Sequence, residues 1–225
     1  MNLKKILIPV SLVLFAAGCQ NNEGQKETTK AANIETTASA KEKSILKDAY
    51  KLYDIDVKNR PVLGDENAKN TIILAFDYSC PWCKKWFKEV LPKIEDEFID
   101  TGKTKFVGQP LAAILNQDSL FMTKVDRFVE LKYPNKYYKV QRKFESRAND
   151  AEVDWATEDY ILSTLKAAGI KTTIEEVNKI DNDGFKTTSE YTENYGVESV
   201  PTVYINGAKL NDPFNINEMK SLLNS

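Results

Sequence analysis

Cys80 and Cys83 stand three positions apart in the run Asp77-Tyr78-Ser79-Cys80-Pro81-Trp82-Cys83. Thiols at that spacing can close a disulfide across one helical turn. Where such a pair opens a helix, the first thiol faces unpaired backbone N–H groups and the positive end of the helix dipole, and both favour its thiolate. A stabilised thiolate makes the dithiol form more stable, so the disulfide passes readily to another thiol. Lys84 and Lys85 add positive charge near Cys80, Pro81 stiffens the loop and removes a donor, and Trp82 adds apolar cover without a titrating group. Three blander uses compete. A structural disulfide over so short a loop contributes little by loop entropy. A metal site needs two further ligands, which carboxylates would have to supply. Free buried thiols are the third option, although a helix start is rarely an inert position. A redox-active dithiol outweighs these together.

Composition narrows the field further. The 225 residues include no histidine and only three cysteines. That excludes Ser-His-Asp and Cys-His nucleophile pairs, zinc proteases of the H-E-x-x-H type, C-x-x-C-H haem attachment and four-thiolate zinc or iron–sulfur sites. Lys plus Arg is 31 and Asp plus Glu 33, a formal charge of −2. Nothing there favours a nucleic-acid partner, which calls for a basic surface.

The elements that must position the thiols follow from periodicity. Thr71-Ile72-Ile73-Leu74-Ala75-Phe76 is short, β-branched and apolar on both parities, as a strand buried on both faces is. After the cysteines, Trp86, Phe87, Val90, Leu91, Ile94 and Phe98 continue at helical spacing from Cys83. This predicts a helix with Pro81 in its first turn and a kink at Pro92. The dithiol therefore sits at a strand-to-helix junction. A short helix is predicted over Leu46, Ala49, Tyr50 and Tyr53, and a second strand at 103–107, ending at Gln109-Pro110-Leu111. Helices then follow to about Gly184: from Asp118 or Ser119 to Tyr133, along Tyr137, Val140, Phe144 and Ala148, from a Thr157 cap to Leu165, and from Thr172-Thr173-Ile174-Glu175 to Asp183-Gly184. Another runs from Phe185 to Tyr195. Asn206-Gly207 between two short apolar segments signals a hairpin, and Asn215 caps a last helix with Ile216, Met219, Leu222 and Leu223 on its apolar face. Tyr133, Tyr137, Tyr138 and Trp155 fit core positions better than docking sites.

The N-terminus reads as an address. Lys4-Lys5 precede an apolar run over residues 6–17, too short to span a bilayer comfortably, as in a secretory signal. Phe15-Ala16-Ala17-Gly18-Cys19 resembles the lipobox of bacterial lipoproteins, with Ala16 where leucine is usual. That resemblance implies cleavage before Cys19 and lipid attachment to it; ordinary signal cleavage is the alternative. Residues 20–43 have almost no large apolar side chains, so they cannot offset their ordering entropy and read as a tether. Export makes an oxidising compartment available.

Phe76-Asp77-Tyr78-Ser79-Cys80-Pro81-Trp82-Cys83, Ser199-Val200-Pro201-Thr202 and Tyr204-Ile205-Asn206-Gly207 together resemble the DsbA family of thiol–disulfide oxidoreductases, from about Pro61 to Leu223. The lipidated form is the kind that Gram-positive bacteria carry. The resemblance implies an α/β, thioredoxin-like fold with an inserted all-helical subdomain. It divides the chain into a lipoprotein signal peptide (1–18), a flexible tether (19–43), a first thioredoxin-like part (44–111), a helical insertion (112–184) and a second thioredoxin-like part (185–225). It implies that Cys80 is the exposed nucleophile and Cys83 the buried resolving thiol, joined as a disulfide in the oxidised form. Pro81, Trp82, Val200 and Pro201 would tune the site. Val200-Pro201 would form a cis-proline loop whose backbone pairs with an extended substrate.

Two departures stand out. Many relatives carry a buried acid six residues before the first cysteine; Leu74 stands there, which leaves proton handling to water. Trp82 replaces the histidine of enteric members, so the pull on the thiolate falls to the helix start and the Val200 loop. The expected activity is donation of disulfides to reduced exported proteins by a monomer anchored on the outer face of the cytoplasmic membrane. It needs no cofactor or metal, and a DsbB-type quinone-linked membrane protein or small oxidants would reoxidise it. The rivals are a reductase or isomerase on the same fold, a non-catalytic lipoprotein stapled by Cys80–Cys83, and a Cu(I) carrier using both thiols.

Overall fold

In the computed structural model, residues 49–112, 114, 117–147 and 155–224 are described. The compact unit is Ser44–Ser225. Cys19, the signal, the tether and Leu46 lie outside the described residues, as does Ala148.

The organising strand is β1, Asn70–Phe76. Its apolar residues on both parities go into two cores. Ile72, Leu74 and Phe76 join a large cluster with Cys83, Trp86 and Phe106, whereas Ile73 and Ala75 join a smaller one with Val107, Tyr191 and Tyr204. β1 pairs in parallel with β2, Thr104–Pro110, and antiparallel with β3, Thr202–Ile205; β3 pairs antiparallel with β4, Ala208–Lys209, so the sheet order is β2-β1-β3-β4. Strand β2 runs to Pro110, opposite Phe76, within the predicted end at Gln109-Pro110-Leu111.

The predicted helix after the cysteines is divided. α1, Pro81–Glu89, ends before Val90; α2, Leu91–Ile94, restarts with Pro92 in its first turn and passes into one π-helical turn over Glu95–Ile99. The proline therefore breaks the helix where a mere kink was expected, because it cannot continue the hydrogen-bond ladder. The apolar stripe holds across the break: Trp86, Phe87, Val90, Leu91, Ile94 and Phe98 are all buried.

The helical stretch comprises α3, Asp118–Lys132; α4, Tyr137–Arg147; α5, Glu158–Ala167; and α6, Ile174–Asn178. α7, Gly184–Asn194, returns the chain to the sheet, and α8, Ile216–Leu223, closes it. Caps fall where side-chain oxygens are available: Thr157 accepts from the Tyr160 N–H, Thr173 from Glu176 and Asn215 from Glu218. Helix α6 ends at Asn178, short of the predicted Asp183-Gly184. The Asn182 side chain claims that turn, donating to the Leu120 carbonyl and accepting from the Gly184 N–H.

Ala49 is helical, but beyond Tyr50 the chain is extended where the predicted short helix ran on to Tyr53. Leu52 bridges to Ala208, and the Tyr53 N–H donates to the Gly207 carbonyl at 2.9 Å. The edge of β4 offers backbone partners that a lone amphipathic turn lacks. Tyr137 is buried, and Tyr133, Tyr138 and Trp155 pack against the main core as expected.

Candidate active site

Cys80 is the N-cap of α1 with extended backbone (φ −81°, ψ 117°), and Pro81 occupies the first helical position, where its missing N–H leaves no gap. The turn that delivers the chain from β1 to α1 is built on Asp77. Its buried carboxylate accepts from the Ser79 N–H at 2.7 Å, the Ile114 N–H at 3.0 Å and the Ser119 hydroxyl at 3.1 Å, and the Cys80 N–H donates to its carbonyl at 2.9 Å. Asp77 thus forms the turn with both its carboxylate and its carbonyl. Edge-on ring pairs of Phe76 with Tyr78 and with Phe87 floor the turn.

Both thiols are unbonded and both are buried, Cys80 at 2 % and Cys83 at 0 % exposure. Cys80 is therefore more covered than the exposed nucleophile the resemblance implied. The Val200-Pro201 loop lies against it: the peptide bond is cis, and the Val200 carbonyl is 3.5 Å from Cys80 Sγ. Trp82, by contrast, is 59 % exposed and leans edge-on toward Phe214.

The two thiols are driven apart in acidity. A hydrogen bond from the Cys83 thiol is the strongest influence on Cys80, bringing it down to about 6; the backbone N–H groups of Cys83 and Trp82 help, while burial and Asp77 oppose. Burial pushes Cys83 far above the ordinary thiol range, reinforced by its hydrogen bond to Cys80 and by the charge there. Two expectations change here. The Val200 loop presents an acceptor, which favours the protonated thiol, so the downward pull belongs to Cys83 and the helix-start amides. The lysines are engaged elsewhere. Lys84 sits 5.2 Å from the Trp155 ring centre and acts on Glu145, and Lys85 lies over the rings of Trp82 and Phe214.

A family model described as Thioredoxin matches residues 56–225. The chain belongs to the thioredoxin family. Disulfide bond formation protein D of Bacillus subtilis (strain 168) is 26% identical over 181 residues, covering 74% of this chain and 77% of that one. The oxidised structure of BdbD from Bacillus subtilis superposes with a TM-score of 0.70 at 22% identity, covering 78% of this chain and 96% of that one. DsbA of Chlamydia trachomatis gives 0.61 at 17% identity, with 76% and 91% covered. Within its family this chain is a DsbA-like thiol–disulfide oxidoreductase, with the thioredoxin-like fold and inserted helices expected of one.

This thioredoxin-family site brings together Cys80, Pro81, Trp82, Cys83, Val200 and Pro201, from the β1–α1 junction and the loop before β3. It also holds a side chain that no sequence motif singled out. Glu145, on α4, is 7 % exposed; neither carboxylate oxygen has a hydrogen-bond partner among the described residues, and burial raises its pKa to about 8. Lys84 works against that rise and a charged Cys80 adds to it. The available signal was positional. Glu145 lies eight residues after Tyr137, two helical turns on, so it falls on the buried side of α4 among Tyr137, Val140 and Phe144. A second polar cluster was equally hidden. Arg60 donates to Glu130 at 2.8 Å, Asp126 at 3.2 Å and the Gly108 carbonyl at 2.7 Å, and Tyr78 and Tyr137 both donate to Asp126.

Proposed function

We propose that this protein donates disulfides to exported proteins outside the cytoplasmic membrane, through Cys80 and Cys83. The observation that carries the reading is the opposed acidity of the two thiols, with Cys80 near 6 and Cys83 far above neutrality. A substrate thiolate attacks Cys80 Sγ of the oxidised pair. The Cys80–Cys83 bond breaks, Cys83 leaves and takes up a proton, and a mixed disulfide joins Cys80 to the substrate. A second substrate thiolate then attacks the substrate sulfur of that bond. Cys80 departs as a stabilised thiolate, and the substrate keeps the disulfide. A good leaving thiolate makes the enzyme disulfide a strong donor.

Val200 and Pro201 form the substrate-binding edge in this reading. Their backbone runs beside Cys80, where an extended segment bearing the attacking thiol can pair. Pro81 and Trp82 shape the turn, and the exposed Trp82 ring offers apolar surface to the incoming chain. Residues 1–18 are proposed as a lipoprotein signal, Cys19 as the lipid-bearing residue and residues 19–43 as the tether of a monomer on the outer face of the membrane. A DsbB-type membrane quinone reductase would restore the disulfide. Lipobox spacing and the polar 20–43 segment support the anchor.

Refolding of a reduced, disulfide-dependent protein tests the activity; Cys80→Ala abolishes it, and unchanged activity in that variant ends the mechanism. A glutathione redox titration tests direction. The expected potential lies nearer the roughly −120 mV of strong donors than the roughly −270 mV of thioredoxin, and a value near the latter would make the protein a reductase. Metabolic labelling with a fatty acid tests Cys19: wild type takes up label and Cys19→Ala does not.

A further inference from the structure

Each cycle of the proposed chemistry requires Cys83 to gain or lose a proton, yet Cys83 is fully buried and Leu74, on β1, brings no acid to it. The molecule places a carboxyl group there from another element. Helix α4 packs on α1, and the edge-on pairing of Tyr78 with Phe144 fixes it beside the cysteine turn. Glu145 follows Phe144, and its carboxyl group interacts electrostatically with Cys80, Cys83 and Tyr78.

Both Glu145 oxygens are buried and, among the described residues, without hydrogen-bond partners, an arrangement costly for stability unless the group has other work. Glu145 also borders a cleft of about 380 Å³ between α1 and α4, floored by Phe87, Leu91 and Pro92 and rimmed by Lys84, Lys88 and Arg142. Glu145 thus both interacts electrostatically with the dithiol and borders a solvent-open cleft that carries charged side chains.

We propose that Glu145 exchanges the Cys83 proton with solvent through this cleft, taking the place of the strand acid that Leu74 removes. The inference rests on the dithiol-exchange reading above. When the enzyme disulfide is opened, Cys83 leaves as thiolate, neutral Glu145 gives it a proton, and the resulting carboxylate is reprotonated by water in the cleft. In the reverse direction, with Cys80 held in a mixed disulfide, the Glu145 carboxylate takes the Cys83 proton. Cys83 then attacks Cys80 Sγ, and the bound thiol departs as its thiolate. The charge on Cys80 times the exchange. Its thiolate, with burial, holds Glu145 protonated, and its conversion to a neutral mixed disulfide removes that restraint. Lys84 and Lys88 on α1, Arg142 on α4 and Glu95 on the π-helical turn are the charged groups around the cleft, and Lys84 favours the ionised form of Glu145.

The test is single-turnover reaction of the reduced protein with glutathione disulfide, following release of glutathione from the Cys80 mixed disulfide between pH 5 and pH 10. Glu145→Gln is expected to slow this step at pH 7 by on the order of a hundredfold, the low end of what a positioned acid–base group contributes. The deficit should close at high pH, where hydroxide can remove the proton, and Glu145→Asp should recover part of the rate. Alkylation of Cys80 with a midpoint at or below that of wild type establishes that the variant site is intact. A wild-type rate and pH profile in Glu145→Gln would overturn the proposal while leaving the oxidoreductase reading standing; a wild-type dithiol inert to glutathione disulfide would overturn both. Should the variant not fold, carbon-13 NMR of glutamate carboxyls in the wild-type protein decides. Glu145 is expected to titrate well above the carboxylate range in the dithiol form and lower in the disulfide form, and ordinary titration in both forms overturns the role.

Discussion

A thiol with its midpoint near pH 6 is mostly thiolate at neutrality, and iodoacetamide reads this directly because only the thiolate reacts. The alkylation rate of Cys80 in the reduced protein should rise as pH passes through about 6 and level off above it. Cys83 should stay unreactive across the same range, checked by mass mapping of the labelled peptide. Glu145 gives a second prediction of opposite sign. Its folded pKa is about 8, above its unfolded value, so the folded state holds a proton that the unfolded chain releases from about pH 4.3. Stability from this group is present below that point and is lost as pH rises toward 8. Urea unfolding should therefore show Glu145→Gln gaining on wild type between pH 5 and pH 8. Cys80, Cys83 and Trp82 were legible in the sequence because their types and local order carry the chemistry, whereas Val200-Pro201 was reached only through the family resemblance. Glu145 was not legible, because its role depends on which helix the insertion lays against α1. The lysines misled for a related reason: closeness in sequence did not say which way Lys84 and Lys85 would point.

At the level of elements, local signals were read correctly where the chain itself satisfies them. The Thr157 and Asn215 caps and the Asn206-Gly207 hairpin depend on neighbours within a few residues, and β1 declares itself by an apolar run that any burying partner would satisfy. The segment at Tyr50 and Tyr53 was misread because its partners, Gly207 and Ala208, lie some 150 residues away. That same docking makes Gly207 irreplaceable. Its φ is +86°, and a Cβ there would meet the Tyr53 carbonyl oxygen at 2.6 Å. Gly207→Ala should cost more than about 1 kcal/mol, from left-handed strain and displacement of the edge segment together. Thermal denaturation against wild type checks it.

For the molecule as a whole, the insertion does more than sit beside the sheet. Arg60, Asp126, Glu130, Tyr137 and Tyr78 join the entry segment, α3, α4 and the cysteine turn, and Arg60 reaches β2 at Gly108. Asp126 and Glu130 are almost wholly buried, so Arg60→Ala would leave Asp126 without its cation and Glu130 with Arg127 alone. The expected loss is about 3–5 kcal/mol in denaturant unfolding. No pattern of spacing announced this network, since its members are scattered from 60 to 137 and only the folded chain gathers them.

The chain has three tryptophans, and two of them share a helix with the dithiol: Trp82 stands between the two cysteines and Trp86 is one turn further along α1, while Trp155 meets Lys84 of that helix. Electron transfer and charge at the thiols therefore act on the two indoles of α1. Light emitted near 340 nm should change in intensity between the dithiol and disulfide forms and follow a glutathione titration with no added label, making the protein its own optical gauge of redox state.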